Sequence, residues 1–112
     1  KREISDIIER LELLEEKFGI AISGLYGTCI YVPNWSPPCH RVEINFDVTS
    51  LGDGKLQDNL AICASAYNSA GQLLKTEKTY LLSENFMGFE SKSISAELDQ
   101  VPARIRLSPA AM

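Results

Sequence analysis

The sequence predicts an all-β domain with an N-terminal helix: an antiparallel β-sandwich of about six or seven strands. Three observations predict it. Residues 41–49 alternate strictly, with Val42, Ile44, Phe46 and Val48 on one side and Arg41, Glu43, Asn45, Asp47 and Thr49 on the other. Side chains alternate across a strand, so this is a strand with one buried face. Short apolar segments recur after it, each closed by Gly, Asn, Asp or Pro. Helical spacing is confined to residues 3–18.

The elements follow in order. In residues 1–18, Ile4, Ile7, Leu11, Leu14 and Phe18 recur at three and four, and Gly19 is a natural stop. This amphipathic stripe has two outlets: packing on the chain's own sheet, which is preferred, or weak self-association with a second copy. The remainder, 19–112, is the sandwich. One or two strands are expected around 20–24 and 28–32, then 41–49, and a loop over 50–59 with Asp53-Gly54 as turn. Residues 60–67 form a strand of small residues, Asn68 to Gly71 a hairpin turn, and 72–82 the return strand. Strands at 89–98 and 103–107 complete the set. The expected core is Val42, Ile44, Phe46, Val48, Ile62, Ala64, Ile94, Leu98 and Ile105.

At 112 residues the chain is one domain long. Its 45% apolar and 23% charged residues fit a folded core and argue against disorder. Net charge is −4, and acids outnumber bases in both the first 17 residues and the rest. Without clustered Lys or Arg, no nucleic-acid partner is expected. No apolar run of spanning length exists, so no membrane insertion by this segment is expected. The compartment is left open. The first residue is not Met, as expected of a fragment or a processed chain.

Catalytic residues are not expected. The single histidine, His40, adjoins Cys39, and neighbours on a strand point to opposite faces, so they cannot act as a nucleophile pair. No metal or cofactor is expected either. Cys29, Cys39, Cys63 and His40 make the right count for zinc but lack paired knuckles. Asp47, Asp53 and Asp58 lack the tight spacing of a calcium loop.

The segment CIYVPNWSPPC, from Cys29 to Cys39, is more informative. Facing each other across a hairpin, its two cysteines would close a loop of about ten residues and add about 2–3 kcal/mol. A reducing compartment would leave both free. Cys63 reads as buried core. Trp35, the one tryptophan, lies in this loop beside prolines. It either folds over the end of the sandwich or stands out as an anchor. Phe86, Met87 and Phe89 form a second cluster that caps the core or makes a binding patch.

The hairpin ASAYNSAGQLL at 64–74, a serine-bearing strand, and VPARIRL at 101–107 together resemble the bacterial and archaeal FxLYD domains. The resemblance covers roughly residues 42–107. The family motif falls on Ala64 to Asn68, where Tyr67 is shared and Asn68 stands where Asp is usual. The resemblance implies an immunoglobulin-like sandwich, often carried beside membrane or secreted segments, with no catalytic activity to transfer.

The expected function is therefore a non-catalytic protein–protein interaction or assembly module. The alternative is a carbohydrate- or small-ligand-binding sandwich using Trp35 with Tyr26 and Tyr31; an enzyme is the least supported reading.

Overall fold

Eight strands form two four-stranded sheets packed face to face in the computed structural model, which describes residues 2–112. The strands are β1 (Arg2–Glu3), β2 (Ile8–Arg10), β3 (Ile20–Val32), β4 (Cys39–Ser50), β5 (Leu60–Tyr67), β6 (Leu73–Leu81), β7 (Phe89–Leu98) and β8 (Arg104–Ala111). One sheet runs β1-β3-β4-β7 and the other β2-β8-β5-β6. Every pairing is antiparallel except the short parallel contact of β2 with β8.

The expected strands at 60–67 and 89–98 have the observed bounds, and 41–49 gains a few residues at its ends. The two candidate segments before Val32 are one long strand, β3, bent by a bulge between Ser23 and Tyr26. Gly24 sits in the bulge at φ +63, and a Cβ there would meet Asp47 Oδ2 at 2.8 Å. Backbone of this hand calls for glycine.

The expected helix over 3–18 is corrected. Only α1 (Glu12–Lys17) is α-helical, with a 3-10 turn at Ser5–Ile7. The upstream residues pair instead with both sheets: β1 with β3, and β2 with β8. Ile4, Ile7 and Ile8 are β-branched and weak helix formers, so a local helix has little to set against sheet pairing and core burial. Ile4 is 1% exposed, and Ile7, Ile8 and Phe18 pack against the core. The stripe that was a candidate for self-association, Ile4, Ile7, Leu11, Leu14 and Phe18, is thus taken up by its own domain, with Leu11 and Leu14 half-buried.

The Gly27 backbone anchors the N-terminal segment where it crosses from one sheet to the other. The Ile4 amide donates to the Gly27 carbonyl at 2.8 Å, and the Gly27 amide donates to Ser5 Oγ at 2.9 Å. A Cβ on Gly27 would come within 2.5 Å of Ile8 Cδ1 and 3.4 Å of Ile4 Cγ1.

Glu15 fastens α1 to both sheets. It is 1% exposed, yet both its carboxylate oxygens are matched. Arg10 Nη2 donates to Oε1 at 2.8 Å and Arg10 Nε to Oε2 at 3.1 Å. The Ile22 amide donates to Oε1 at 3.1 Å. One carboxylate therefore links β2, α1 and β3. A fork-to-fork pair of this kind is the strong form of a charged hydrogen bond. It holds the Arg10 guanidinium above its ordinary pKa, chiefly through the hydrogen bonds to Glu15.

All nine expected core residues are buried, joined by Ile4, Ile20, Ile22, Leu60, Leu81, Phe86 and Leu107. Between the sheets, Ala64, Ala66 and Ile105 on one side and Val42, Ile44, Ile94 and Ala96 on the other line a narrow, partly open gap of about 10 Å³.

Candidate functional site

The β3–β4 hairpin and its neighbour β7 carry most of the residues singled out from the sequence. Cross-strand partners share a face, so the register sorts them. Core-facing Val42, Ile44, Phe46 and Val48 put Arg41, Glu43, Asn45, Asp47 and Thr49 on the outer face. Ile30 pairs with Arg41 and Tyr26 with Asn45, so both also face out. On β7, Ser91, Ser93, Ser95 and Glu97 complete this surface.

Trp35 lies at the hairpin tip and is 45% exposed. The Arg41 guanidinium stands over its ring at 4.9 Å, and Arg41 Nε lies 3.8 Å from Glu97 Oε1. A cation held over an indole face is attracted by the ring quadrupole, which orients the tryptophan without burying it. Ile30, beside Arg41, is 42% exposed, and Tyr26 is 47% exposed about 13 Å further along β3.

Tyr31 does not join them. It pairs with His40, with ring centroids 5.0 Å apart, on the opposite side of the sheet from Trp35 and Tyr26. Strand alternation forces this, because Ile30 and Tyr31 are neighbours. The aromatic cluster at 86–89 also divides. Phe86 is a buried core residue, whereas Met87 and Phe89 are exposed. Phe89 pairs with Thr49, about 30 Å from the hairpin tip along β4.

The expected meeting of Cys29 and Cys39 is corrected. Cys29 pairs with Val42 and Cys39 with Val32, three positions away along the hairpin. That separation is about 10 Å, beyond the reach of a disulfide. All three cysteines are free, and Cys29 and Cys39 are buried. Burial pushes the Cys29 thiol pKa up, partly offset by Arg2. Cys63, expected in the core, is only half-buried, because alternation turns Ile62 and Ala64 inward and Cys63 outward. In the folded protein Cys63 is expected to react with a thiol reagent first, and Cys29 and Cys39 only on unfolding. Labelling of Cys29 at the Cys63 rate under native conditions would contradict this placement.

The outer face of the other sheet has a different character. Arg104 and Arg106 lie over the Tyr67 ring at 5.1 and 5.8 Å, and Arg106 Nε donates to Glu9 Oε1 at 2.8 Å. Lys78 and Tyr80 are exposed on the same face, paired with Cys63 and Ala61. Neither this cluster nor the Trp35–Arg41 contact is visible as a motif: the Tyr67 cluster joins strands distant in sequence, and the Trp35–Arg41 contact depends on how the hairpin loop folds back over β4.

At the far end of the sandwich, a cleft of about 540 Å³ lies between α1 and the 51–59 loop, lined by Glu16, Ser50, Asp53, Asp58 and Asn59 among others. Among the described residues, no group of three or more His, Cys, Asp or Glu side chains is placed to hold a metal ion. Among them, too, no helix is long and apolar enough to cross a membrane. No protein-family model, curated protein or solved structure matches the chain.

Proposed function

We propose that this chain is a non-catalytic protein-interaction module of immunoglobulin-like type, working through the outer face of the β1-β3-β4-β7 sheet. The observation that carries this reading is the exposed Trp35, held in place by Arg41 rather than folded into the core, with Ile30 and Tyr26 on the same face. Tryptophan, tyrosine and arginine dominate the energy of protein contacts, and side chains already held on a sheet lose little entropy on binding. The immunoglobulin-like assignment rests on the two facing sheets and on the FxLYD-like hairpin. In that hairpin Asn68 Oδ1 accepts from the Ala70 and Gln72 amides at 3.0 and 2.9 Å, the turn duty an Asx residue performs. The alternative, a carbohydrate- or small-ligand-binding sandwich using the Trp35 loop, is favoured less because Tyr31 lies on the other side of the sheet from Trp35 and Tyr26.

A photo-crosslinking residue placed at Glu43, in the middle of the outer face, tests the reading in the cell that makes the protein. A control at Glu84, in the exposed turn after β6, reports background. A discrete protein adduct at position 43 and none at 84 is expected. No adduct at 43, or the same adducts at both positions, would overturn the proposal.

A further inference from the structure

The two outer faces of the sandwich carry opposite charge. The face of β1-β3-β4-β7 presents Glu3, Glu43, Asp47 and Glu97 against Arg41. The face of β2-β8-β5-β6 presents Arg104, Arg106 and Lys78 against Glu9. The first is net negative and the second net positive, within a chain whose total is −4. The basic face is therefore a local excess against the protein's overall balance. Both faces also hold exposed aromatic rings: Trp35 and Tyr26 on the acidic one, Tyr80 on the basic one, with the half-buried Tyr67 at the other end of β5.

We infer that the partner is a second copy of this chain, with the acidic outer face of one copy stacked on the basic outer face of the next. This rests on the interaction-module reading above and names its occupant. Complementary potentials favour this pairing and oppose the two alternatives, acidic on acidic and basic on basic. Molecular extents of 45 × 27 × 23 Å give each broad face a footprint of roughly 1,000 Å², above the about 800 Å² per partner of a standard interface. The contact is heterologous, so every added copy offers a fresh acidic and a fresh basic face. Mass is then expected to climb steadily with concentration, without a plateau at two copies. Like net charge on the copies opposes their approach, and salt screens the contact, so the association is weak and strongest at low ionic strength.

Sedimentation at rising concentration tests this with two complementary variants. Glu3→Lys with Glu43→Lys makes both faces basic; Lys78→Glu with Arg104→Glu makes both acidic. All four positions are exposed, so neither variant disturbs the core. A third variant, Glu16→Lys with Glu84→Lys, matches the first in net charge and touches neither face. The wild-type chain and the third variant are expected to associate at low salt and to dissociate at high salt. The first two variants alone should associate at least about tenfold more weakly. Mixed in equal amounts, they should associate again, because each supplies the face the other lacks. Wild-type chains that stay single at every concentration, or a mixture that stays single, would overturn the inference. If copies do not associate while position 43 captures a different protein, the interaction-module reading stands and only this inference fails. If position 43 captures nothing, that reading fails as well.

Discussion

Arg10→Ala is expected to lower the free energy of unfolding by about 3–5 kcal/mol, because it strands a buried charge. The Glu15 side chain is 2% exposed, whereas that of Arg10 is 32% exposed. Without Arg10, the carboxylate keeps only the Ile22 amide as a donor. Glu15→Ala removes the same pair from the other side, with a different outcome. Arg10 can then turn to water, and the main loss is the unpaired Ile22 amide, worth about 1–3 kcal/mol. The two truncations should therefore differ, with Arg10→Ala the worse. Replacing both, Arg10→Ala with Glu15→Leu, should remove the stranded-charge part of the loss and leave that of the unpaired Ile22 amide. Chemical denaturation of the three variants reads this directly. Equal losses for the two single variants would mean that the carboxylate is better hydrated than its burial indicates.

Ile44→Ala is expected to cost about 4 kcal/mol, in the upper half of the range for truncating a buried isoleucine. Ile44 is buried at the centre of β4, paired with Gly27 on one side and Ile94 on the other. It also lies against Ala64 and Ala66, whose short side chains cannot fill the space that truncation leaves. Residual cavity volume is what raises the cost. Glu43→Ala, one residue away on the outer face, should change stability by less than about 0.5 kcal/mol. The contrast tests the register, since a slip of one residue exchanges the two environments.

The sheet strands were legible because their burial is written in a period of two. Val42 to Val48 could face only one way, and the turns at Asp53-Gly54 and Asn68-Gly71 bounded the strands beside them. The N-terminal segment departs from the expected helix for a physical reason. Ile4, Ile7, Leu11, Leu14 and Phe18 satisfy the helical period, and that period describes which side chains are buried, not the backbone that buries them. The deciding contacts, Ile4 with Gly27 and Ile8 with Ile105, join residues far apart in sequence. Tertiary pairing of this sort overrides local propensity. The same limit applied to the candidate site. Exposure of Trp35 was one of two open readings, because only its contact with Arg41 decides between them. Cys29 and Cys39 face each other only if the hairpin pairs them in register, whereas the register follows the core pattern of β4 and separates them.

The outer faces are the available contact surfaces only if the N-terminal stripe belongs to its own sandwich. Native-state hydrogen exchange at the amides of Ile4 and Ile22 measures this most directly. The Ile4 amide is bound to the Gly27 carbonyl and the Ile22 amide to Glu15. Both are predicted to exchange as slowly as the central amides of β4 and β5, at a rate that does not depend on protein concentration. Rapid exchange in dilute solution, with protection that appears only as concentration rises, would show that a second chain orders the segment and would contradict the account.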